Sequence, residues 1–234
     1  MERLAFLVGV IGNIISVFMF VSPGMTFVRI VKKKSTEEFE SIPYICTLLS
    51  SCLWTYYGIT KPGSFLVATV NGFGVLVQII FVVLFLIFAP PHKRGKTAVL
   101  VGIVNIGLLG GGITVCKYLV LDEELRIDII GLMCSALNIV MYASPLSAMK
   151  RMVRRKSVEY MPFLVSFSLF LNGGIWTFYA VLVQDWFLGV PNAIGLMLGT
   201  LQLILYFIYK YLLSSKTTNC GCHKDPLLQP HATC

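Results

Sequence analysis

Seven long runs of residues without a single charge limit this chain to one broad class of fold. The runs span residues 4–28, 41–60, 62–91, 97–116, 129–149, 160–184 and 186–209. Each is about 20 residues or longer, enough for an α-helix to cross roughly 30 Å of hydrocarbon. With 56% hydrophobic and 13% charged residues, the chain also has more apolar surface than a soluble domain could cover. The sequence therefore predicts an all-α membrane protein with seven transmembrane helices.

The basic residues are distributed unevenly between the two sides of these predicted spans. The N-terminus and the loops after the second, fourth and sixth spans hold 4 Lys or Arg residues, and the other side holds 15. Because loops rich in Lys and Arg stay in the cytosol, the N-terminus is predicted to be non-cytosolic and the C-terminus cytosolic. The net charge of +8 then reflects topology beside anionic lipid, and no nucleic-acid partner is predicted.

The chain also contains an internal repeat with an offset of 122 residues. Residues 13–37 align with 135–159, with eight of the 25 pairs identical. The match continues as LWTYYGI (53–59) against IWTFYAV (175–181), and then as NGFG (71–74) against NAIG (192–195) with the offset reduced by one. Three matched blocks in one order indicate that the first three spans are repeated as the last three.

Counting the crossings gives the orientation of the two repeats. Spans one and five cross the membrane in the same direction, so the repeats are parallel and span four is the linker that this arrangement requires, a 3+1+3 order. The predicted divisions are a first repeat (4–91), a linker helix (92–120), a second repeat (127–213) and a disordered cytosolic tail (214–234). Glycines in GLLGGGI (107–113) predict close helix packing of the linker.

Several motifs carry a resemblance to a known family. They are ASPL with KSVEYMPF in the second repeat, SP with KSTEEF and IPY in the first, and VNGFG and PNAIG in the third helices. On these motifs residues 4–212 resemble the SWEET sugar transporters, of the saliva/nodulin-like family related to the PQ-loop proteins. The stretches YICTLLSSCLWTYYGI and TVNGFG most resemble the plant subgroup of the vacuolar membrane, with the plasma membrane as the alternative. The resemblance implies a sugar transporter without a cofactor, in a family that often assembles as homo- or hetero-oligomers.

Four uncharged side chains form the predicted substrate site. Asn71 and Asn192, with Trp54 and Trp176, lie in repeat-related pairs at roughly 10 Å depth from the outer side. Amides bond hydroxyl groups and indoles offer flat apolar faces, a combination that suits a neutral sugar. The alternatives are helix-capping amides and an interfacial tryptophan belt. The resemblance places Asn at both pocket positions and a smaller residue than Trp54 in many relatives, so a hexose is favoured over a disaccharide such as sucrose.

Four prolines and three polar residues form the predicted inner and outer gates. Pro23, Pro43, Pro145 and Pro162 lie near the cytosolic ends of their spans, where proline kinks a helix or shapes its end. The resemblance implies that they form an inner gate. Tyr57 and Tyr179 are repeat-related near the outer surface, and the resemblance assigns Tyr57 and Asp185 to an outer gate. The alternative for Asp185 is an ordinary exposed loop carboxylate.

Residue types that are missing from the spans narrow the function. No Asp, Glu, His, Lys or Arg lies deep in a span, no phosphate-binding glycine loop is present and no metal site is predicted. These absences predict passive transport in either direction, and the two three-helix repeats predict a uniporter that works by alternating access. The alternatives are a seven-helix receptor, an intramembrane enzyme and a scaffold without transport.

Overall fold

The computed structural model describes residues 2–155 and 163–220, with side chains as far as residue 211, and the regular elements in these ranges are all helical. In chain order they are α1 (Glu2–Val21), α2 (Gly24–Lys33), α3 (Ile42–Thr60), α4 (Phe65–Phe88), α5 (Pro91–Val101), a π-helical segment (Gly102–Leu108), α6 (Leu109–Leu119), α7 (Glu123–Met141), α8 (Ala143–Arg155), α9 (Phe163–Leu182) and α10 (Trp186–Cys220). The predicted all-α membrane fold is confirmed.

Six of the seven predicted spans are long and apolar enough to cross a membrane by length and composition alone. They are Glu2–Lys33, Phe65–Phe88, Pro91–Leu119, Glu123–Arg155, Phe163–Leu182 and Trp186–Tyr211. The span outside this set is α3, which is rich in Ser, Thr and Tyr and buries several of these polar residues within the protein. Its lower hydropathy follows from its place between other helices, where polar side chains face protein and cavity instead of lipid.

Six helices form a closed ring, with one helix outside it. Going around the ring, α1 contacts α4, α4 contacts α3, α3 contacts α7, α7 contacts α10, α10 contacts α9, and α9 contacts α1. The first helix of each repeat therefore packs against the second helix of the other repeat, at the α1–α9 and α3–α7 contacts. We call the end of the ring that holds the N-terminus the outer end, and the opposite end the inner end.

The two repeats share the same internal hydrogen bonds. In the first repeat Asn13 Nδ2 donates to the Leu66 carbonyl at 3.0 Å. In the second repeat Ser135 Oγ donates to the Phe187 carbonyl at 2.6 Å. Pro191 cannot donate to this carbonyl one turn earlier, so the Ser135 hydroxyl supplies the missing partner. The repeat that the sequence predicts is thus also a repeat of specific contacts.

The linker helix runs outside the ring. Its three segments, α5, the π-helical turn and α6, contact α3, and its ends also reach α4 and α7. The glycines predicted to serve close packing differ: nothing lies within 4 Å of the position of a Cβ on Gly110 or Gly111, whereas a Cβ on Gly112 would lie 3.4 Å from the Met133 side chain of α7. The linker packs through another face than that of Gly110 and Gly111, which lie on the open side.

The last helix extends beyond the predicted end of the second repeat. The backbone of α10 stays helical to Cys220, past residue 213. Residues 214–220 contain no glycine or proline, so no residue there interrupts the helix. The rest of the predicted tail, 221–234, lies outside the described residues.

Candidate functional site

A central cavity of about 390 Å³ lies inside the six-helix ring. A volume of this size is within the ordinary range of small-molecule sites. All four predicted substrate residues line it, two from each repeat: Trp54, Asn71, Trp176 and Asn192. The remaining wall comes from the other ring helices and includes Ser16, Ser50, Ser51, Asn138, Asn172 and Gln78.

The two asparagines have the same hydrogen bonds. Asn71 Nδ2 donates to the Val67 carbonyl at 2.9 Å, and Asn192 Nδ2 donates to the Leu188 carbonyl at 2.8 Å. Each bond joins the side chain to its own helix one turn earlier, which fixes the orientation of the amide. One N–H and the Oδ1 acceptor of each amide then remain available to a molecule in the cavity.

The two tryptophans are buried in the protein and do not form a belt at the lipid interface. Trp54 is 4% exposed and Trp176 is 5% exposed. Each packs edge-on against the tyrosine three residues later, at 5.4 Å in both repeats, with Tyr57 and Tyr179 as the partners. The indole of Trp176 also donates to Ser16 Oγ at 2.9 Å.

Two further amides in the wall were not predicted from the sequence. Ser16 Oγ donates to Asn172 Oδ1 at 2.7 Å, and Ser50 Oγ donates to Asn138 Oδ1 at 3.0 Å. Ser16 and Asn138 are repeat mates, as are Ser50 and Asn172, so the two pairs are related by the repeat with Ser and Asn exchanged. The signal that could have identified them is a polar residue inside an apolar run at matched positions.

The outer end of the cavity is closed by a buried polar cluster. Tyr57 OH donates to the Asp185 carboxylate, with 3.0 Å to each oxygen. Lys61 Nζ lies 2.9 Å from Asp185 Oδ2 and 2.9 Å from Tyr57 OH. We call Tyr57, Lys61 and Asp185 the outer latch. It brings together two predicted outer-gate residues and adds Lys61, which the sequence signals only by lying one helical turn after Tyr57.

Local backbone structure positions Asp185 in this latch. The C-terminus of α9 is closed by a bond from Asp185 N to the Ala180 carbonyl at 2.9 Å, with Gln184 left-handed at φ 54°. This is the pattern of a Schellman motif. Asp185 Oδ1 also accepts from Leu188 N at 3.1 Å and so caps α10. The Asp185 side chain is 1% exposed, so this residue is not an ordinary surface carboxylate.

Glycines allow the tyrosines of the outer end to approach the first helix of the opposite repeat. A Cβ on Gly9 would lie 2.9 Å from the Tyr179 ring, and a Cβ on Gly131 would lie 2.9 Å from the Tyr57 ring. Tyr179 is buried in the same layer as the latch, but it makes no hydrogen bond to Asp185. The structure therefore places Tyr179 as a packing element of the closed outer end.

The first predicted inner-gate proline marks a real break in a helix. Pro23 separates α1 from α2 and lines the inner part of the cavity. Because proline cannot donate to the carbonyl four residues earlier, Met19 O lacks its helical partner. Ser22 Oγ donates to that carbonyl at 2.8 Å. The break is thus stabilised by the residue next to the proline.

The other predicted inner-gate prolines differ in position. Pro145 lies in the first turn of α8, just after a break at Tyr142, and does not line the cavity. Pro43 is the second residue of α3, where a missing N–H costs little, and it lines the inner mouth as an exposed side chain. Pro162 lies outside the described residues. Among the described residues, the cavity reaches the exposed Pro43 at its inner end, whereas the outer end is covered by the buried Tyr57 and Asp185.

The loop between α2 and α3 is fixed beside the inner mouth. Arg29 Nε and Lys33 Nζ lie 2.7 and 2.6 Å from the Glu37 carboxylate. Their hydrogen bonds, that of Lys33 first, lower the pKa of Glu37 below its usual value. Lys93 Nζ donates to the Glu37 carbonyl at 3.0 Å and thereby ties the loop to α5.

The cavity wall combines apolar side chains with uncharged polar ones. None of the described residues that line it is Asp, Glu, His, Lys or Arg. Within the described part of the chain there is also no group of three His, Cys, Asp or Glu side chains that could hold a metal ion. The site can therefore offer hydrogen bonds and apolar ring faces to a neutral solute.

Comparison with known proteins agrees with this architecture. The family described as "Sugar efflux transporter for intercellular exchange" matches residues 6–93 and 128–212. SWEET17 of Arabidopsis thaliana is 55% identical over 210 residues, covering 90% of this chain and 87% of the relative. SWEET16 of the same plant is 52% identical over 210 residues, covering 90% and 91%. Both relatives are named bidirectional sugar transporters, and neither is an enzyme.

A solved structure shares the fold. The structure of a eukaryotic SWEET transporter superposes with a TM-score of 0.84 at 38% identity, covering 90% of this chain and 98% of that chain. SWEET16 and SWEET17 belong to the vacuolar-type subgroup that the sequence resembles. The ring of repeated helices and these matches together show that the chain belongs to the SWEET family, the MtN3/saliva family of sugar transporters.

Proposed function

We propose that this protein is a passive, bidirectional uniporter that prefers a hexose, glucose or fructose, to sucrose. The observation that carries the proposal is the pair of asparagines, Asn71 and Asn192, each of which is oriented by its own helix and keeps an acceptor for the cavity. A hexose has a hydroxyl group on most of its carbons, so it can donate to both acceptors at once. The names of the relatives support the same substrate class.

The tryptophans support the preference for a single sugar ring. Trp54 and Trp176 are both buried and both line the cavity, one from each repeat. An indole can stack on the C–H face of a sugar, with a gain comparable to that of aromatic pairs, about 0.5–1.5 kcal/mol. Two bulky side chains at one level also leave less width for a second ring, which favours a hexose over sucrose.

The mechanism that we propose is alternating access between two three-helix repeats. The buried outer latch, and a cavity that reaches the exposed Pro43 in the described part of the inner end, are the features expected of an inward-open state. The main helix–helix contacts between the repeats in the ring are those of α1 with α9 and of α3 with α7. Rocking of one repeat against the other would break the latch of Tyr57, Lys61 and Asp185 and close the mouth at Pro23 and Pro43.

Transport is proposed to be passive because the described cavity wall has no Asp, Glu, His, Lys or Arg that could carry a proton. We place the protein in the vacuolar membrane, with the plasma membrane as the alternative, on the likeness to SWEET16 and SWEET17. The excess of Lys and Arg at the inner end supports a cytosolic inner side and a non-cytosolic N-terminus. Assembly with copies of itself or with other family members remains part of the proposal.

The test is uptake of labelled glucose, fructose and sucrose into proteoliposomes, with and without a sugar gradient. Wild type should equilibrate hexose in both directions and should carry sucrose poorly. Asn71→Ala should reduce the affinity for hexose roughly tenfold to a hundredfold, because one or two bonds to a desolvated hydroxyl are lost. Asn105→Ala is the matched control, since Asn105 lies on the linker outside the cavity and bonds the Ile45 carbonyl.

Two results would contradict the proposal. Wild-type hexose flux in Asn71→Ala would show that this amide does not bind the sugar. Sucrose flux equal to hexose flux in the wild-type protein would show that the tryptophans do not narrow the cavity.

A further inference from the structure

A second amide borders the cavity closer to its inner end. Gln78 lies seven residues after Asn71 on α4, which places it two turns, or about 10 Å, further toward the inner face and on the same side of the helix. It lines the central cavity and is 2% exposed. Gln78 is thus a polar group on the path between the asparagine level and the inner mouth.

The carbonyl oxygen of this amide has no protein partner. Gln78 Oε1 is buried and accepts no hydrogen bond from any of the described residues. Its neighbours on α4, Val77 and Phe81, belong to an apolar cluster with Phe27, and these side chains cannot donate. A buried acceptor without a partner costs free energy, so a function should compensate for it. The oxygen itself is shielded from the cavity in this conformation, so the Gln78 side chain must turn before a donor in the cavity that it borders can reach this oxygen.

An aromatic ring lies on the same stretch of the wall. Tyr44 lines the cavity near Pro23 and Pro43. Its ring is held edge-on against Phe27 at 4.8 Å and against Phe81 at 6.1 Å. The first repeat therefore provides an amide and a fixed aromatic ring at the inner end, the two kinds of group that also form the Asn and Trp level.

The second repeat does not provide the same groups. Its residues at the positions equivalent to Gln78 and Tyr44 are Gly199 and Ser166. A Cβ on Gly199 would lie 2.6 Å from the Phe170 backbone nitrogen, so this position serves helix packing. The inner pair of polar and aromatic groups is therefore present on one side of the cavity only.

We propose that Gln78 and Tyr44 form a second sugar subsite, separate from the Asn and Trp level, at which a hydroxylated sugar pauses on the first repeat before it leaves or after it enters through the inner mouth. A sugar hydroxyl donates to Gln78 Oε1 there, and the sugar ring packs against Tyr44. This inference rests on the proposed function. It adds a second sugar-binding position, formed by the first repeat alone, to the one that the two repeats form together.

The test compares two buried glutamines that differ in their place relative to the cavity. Gln202 is also 2% exposed and its Oε1 also lacks a partner among the described residues, but it does not line the cavity. Gln78→Met and Gln202→Met are measured by equilibrium exchange of labelled glucose in proteoliposomes. Gln78→Met should raise the half-saturating glucose concentration about 2- to 10-fold, the effect of one lost hydrogen bond. Gln202→Met should leave it unchanged.

Two further measurements separate binding from structure. Gln78→Met should unfold in detergent at the same temperature as wild type or higher, because the variant removes an unpaired buried acceptor. A series of deoxyglucoses is then tested in competition with labelled glucose. The deoxyglucose that lacks one particular hydroxyl should bind wild type more weakly than glucose does, but should bind Gln78→Met as well as glucose does. This coupling would identify the hydroxyl that Gln78 accepts from.

The proposal is overturned if Gln78→Met exchanges glucose with the half-saturation of wild type, or if Gln202→Met shows the same increase. It is also overturned if removing each hydroxyl of glucose weakens binding by the same factor in wild type and in Gln78→Met. If Gln78→Met and Gln78→Leu both fail to fold, the amide is structural and the proposal is wrong. A wild-type protein that carries glucose, fructose and sucrose in none of these assays would overturn the proposed function and this inference with it.

Discussion

Removing the hydroxyl of Tyr57 should open the outer end of the cavity. The hydroxyl donates to the Asp185 carboxylate and accepts from Lys61, and all three side chains meet at the closed end of the ring. In Tyr57→Phe the ring remains to pack against Trp54 and Gly131, so the variant removes the polar bonds with little change in shape. The predicted consequence is a shift of the protein toward the outward-open state.

The size of this shift follows from the burial of the latch. Tyr57 is 0% exposed and the Asp185 side chain is 1% exposed, so water cannot replace the lost bond in the closed state. A hydrogen bond to a charged group contributes about 1.5–3 kcal/mol. The bond that Lys61 donates to the hydroxyl is lost as well, but Lys61 keeps its ion pair with Asp185, and Asp185 keeps its bond to Leu188 N. We expect the ratio of outward-open to outward-closed protein to rise roughly 10- to 100-fold.

The assay measures access to the cavity from the outer side. Val67 lines the cavity close to Asn71 and is 1% exposed in the closed state. Val67→Cys is introduced in a chain whose native cysteines are replaced, and a thiol reagent that cannot cross the membrane is added to the outer face of oriented proteoliposomes. The rate of modification should rise in Tyr57→Phe by the same factor as the population of the outward-open state.

The control is the neighbouring tyrosine. Tyr56 is only partly buried, and its hydroxyl takes no part in the outer latch. Tyr56→Phe should therefore leave the modification rate at the wild-type value. Equal rates in wild type and Tyr57→Phe, or an equal increase in Tyr56→Phe, would refute the assignment of the latch.

Three other predictions concern substrate size, stability and ion coupling. Trp54→Ser should raise the ratio of sucrose to hexose uptake and should weaken hexose binding by about 1 kcal/mol through lost stacking; an unchanged ratio would show that Trp54 does not limit the cavity width. Ser135→Ala leaves the Phe187 carbonyl opposite Pro191 without a donor, so the free energy of unfolding in detergent should fall by about 1–3 kcal/mol. Sugar transport should leave the reading of a pH-sensitive dye inside the vesicles unchanged, and stoichiometric proton movement would refute the uniporter.

The apolar runs and the distribution of charge predict the helices well, because a helix that crosses a membrane needs about 20 apolar residues whatever its neighbours are. The repeat is also visible in the sequence, since equivalent positions keep equivalent residues. From it come the paired depths of Asn71 with Asn192 and of Trp54 with Trp176, and all four residues line the cavity. The depth of a residue in the membrane and its repeat-related partner both depend only on its position along the chain, so they can be predicted from the sequence.

The latch and the inner amide could not be predicted in the same way. Tyr57 and Asp185 are 128 residues apart and Ser16 and Asn172 are 156 residues apart, and neither pair is separated by the repeat offset of 122. The offset identifies residues that occupy equivalent positions, whereas contacts across the ring join residues that are not equivalent. Likewise, the burial of Gln78 without a partner depends on the apolar side chains that surround it.

The sequence by itself thus determined the membrane class, the number of helices, the repeat and the level of the polar pairs. Only the tertiary structure decided which helix of one repeat meets which helix of the other, and therefore that a loop aspartate is buried beside Lys61. The physical reason is that the spans are held beside one another by close packing and a few interhelical hydrogen bonds, not by apolar character, which lipid satisfies equally well. These few contacts leave almost no periodic signal in the chain.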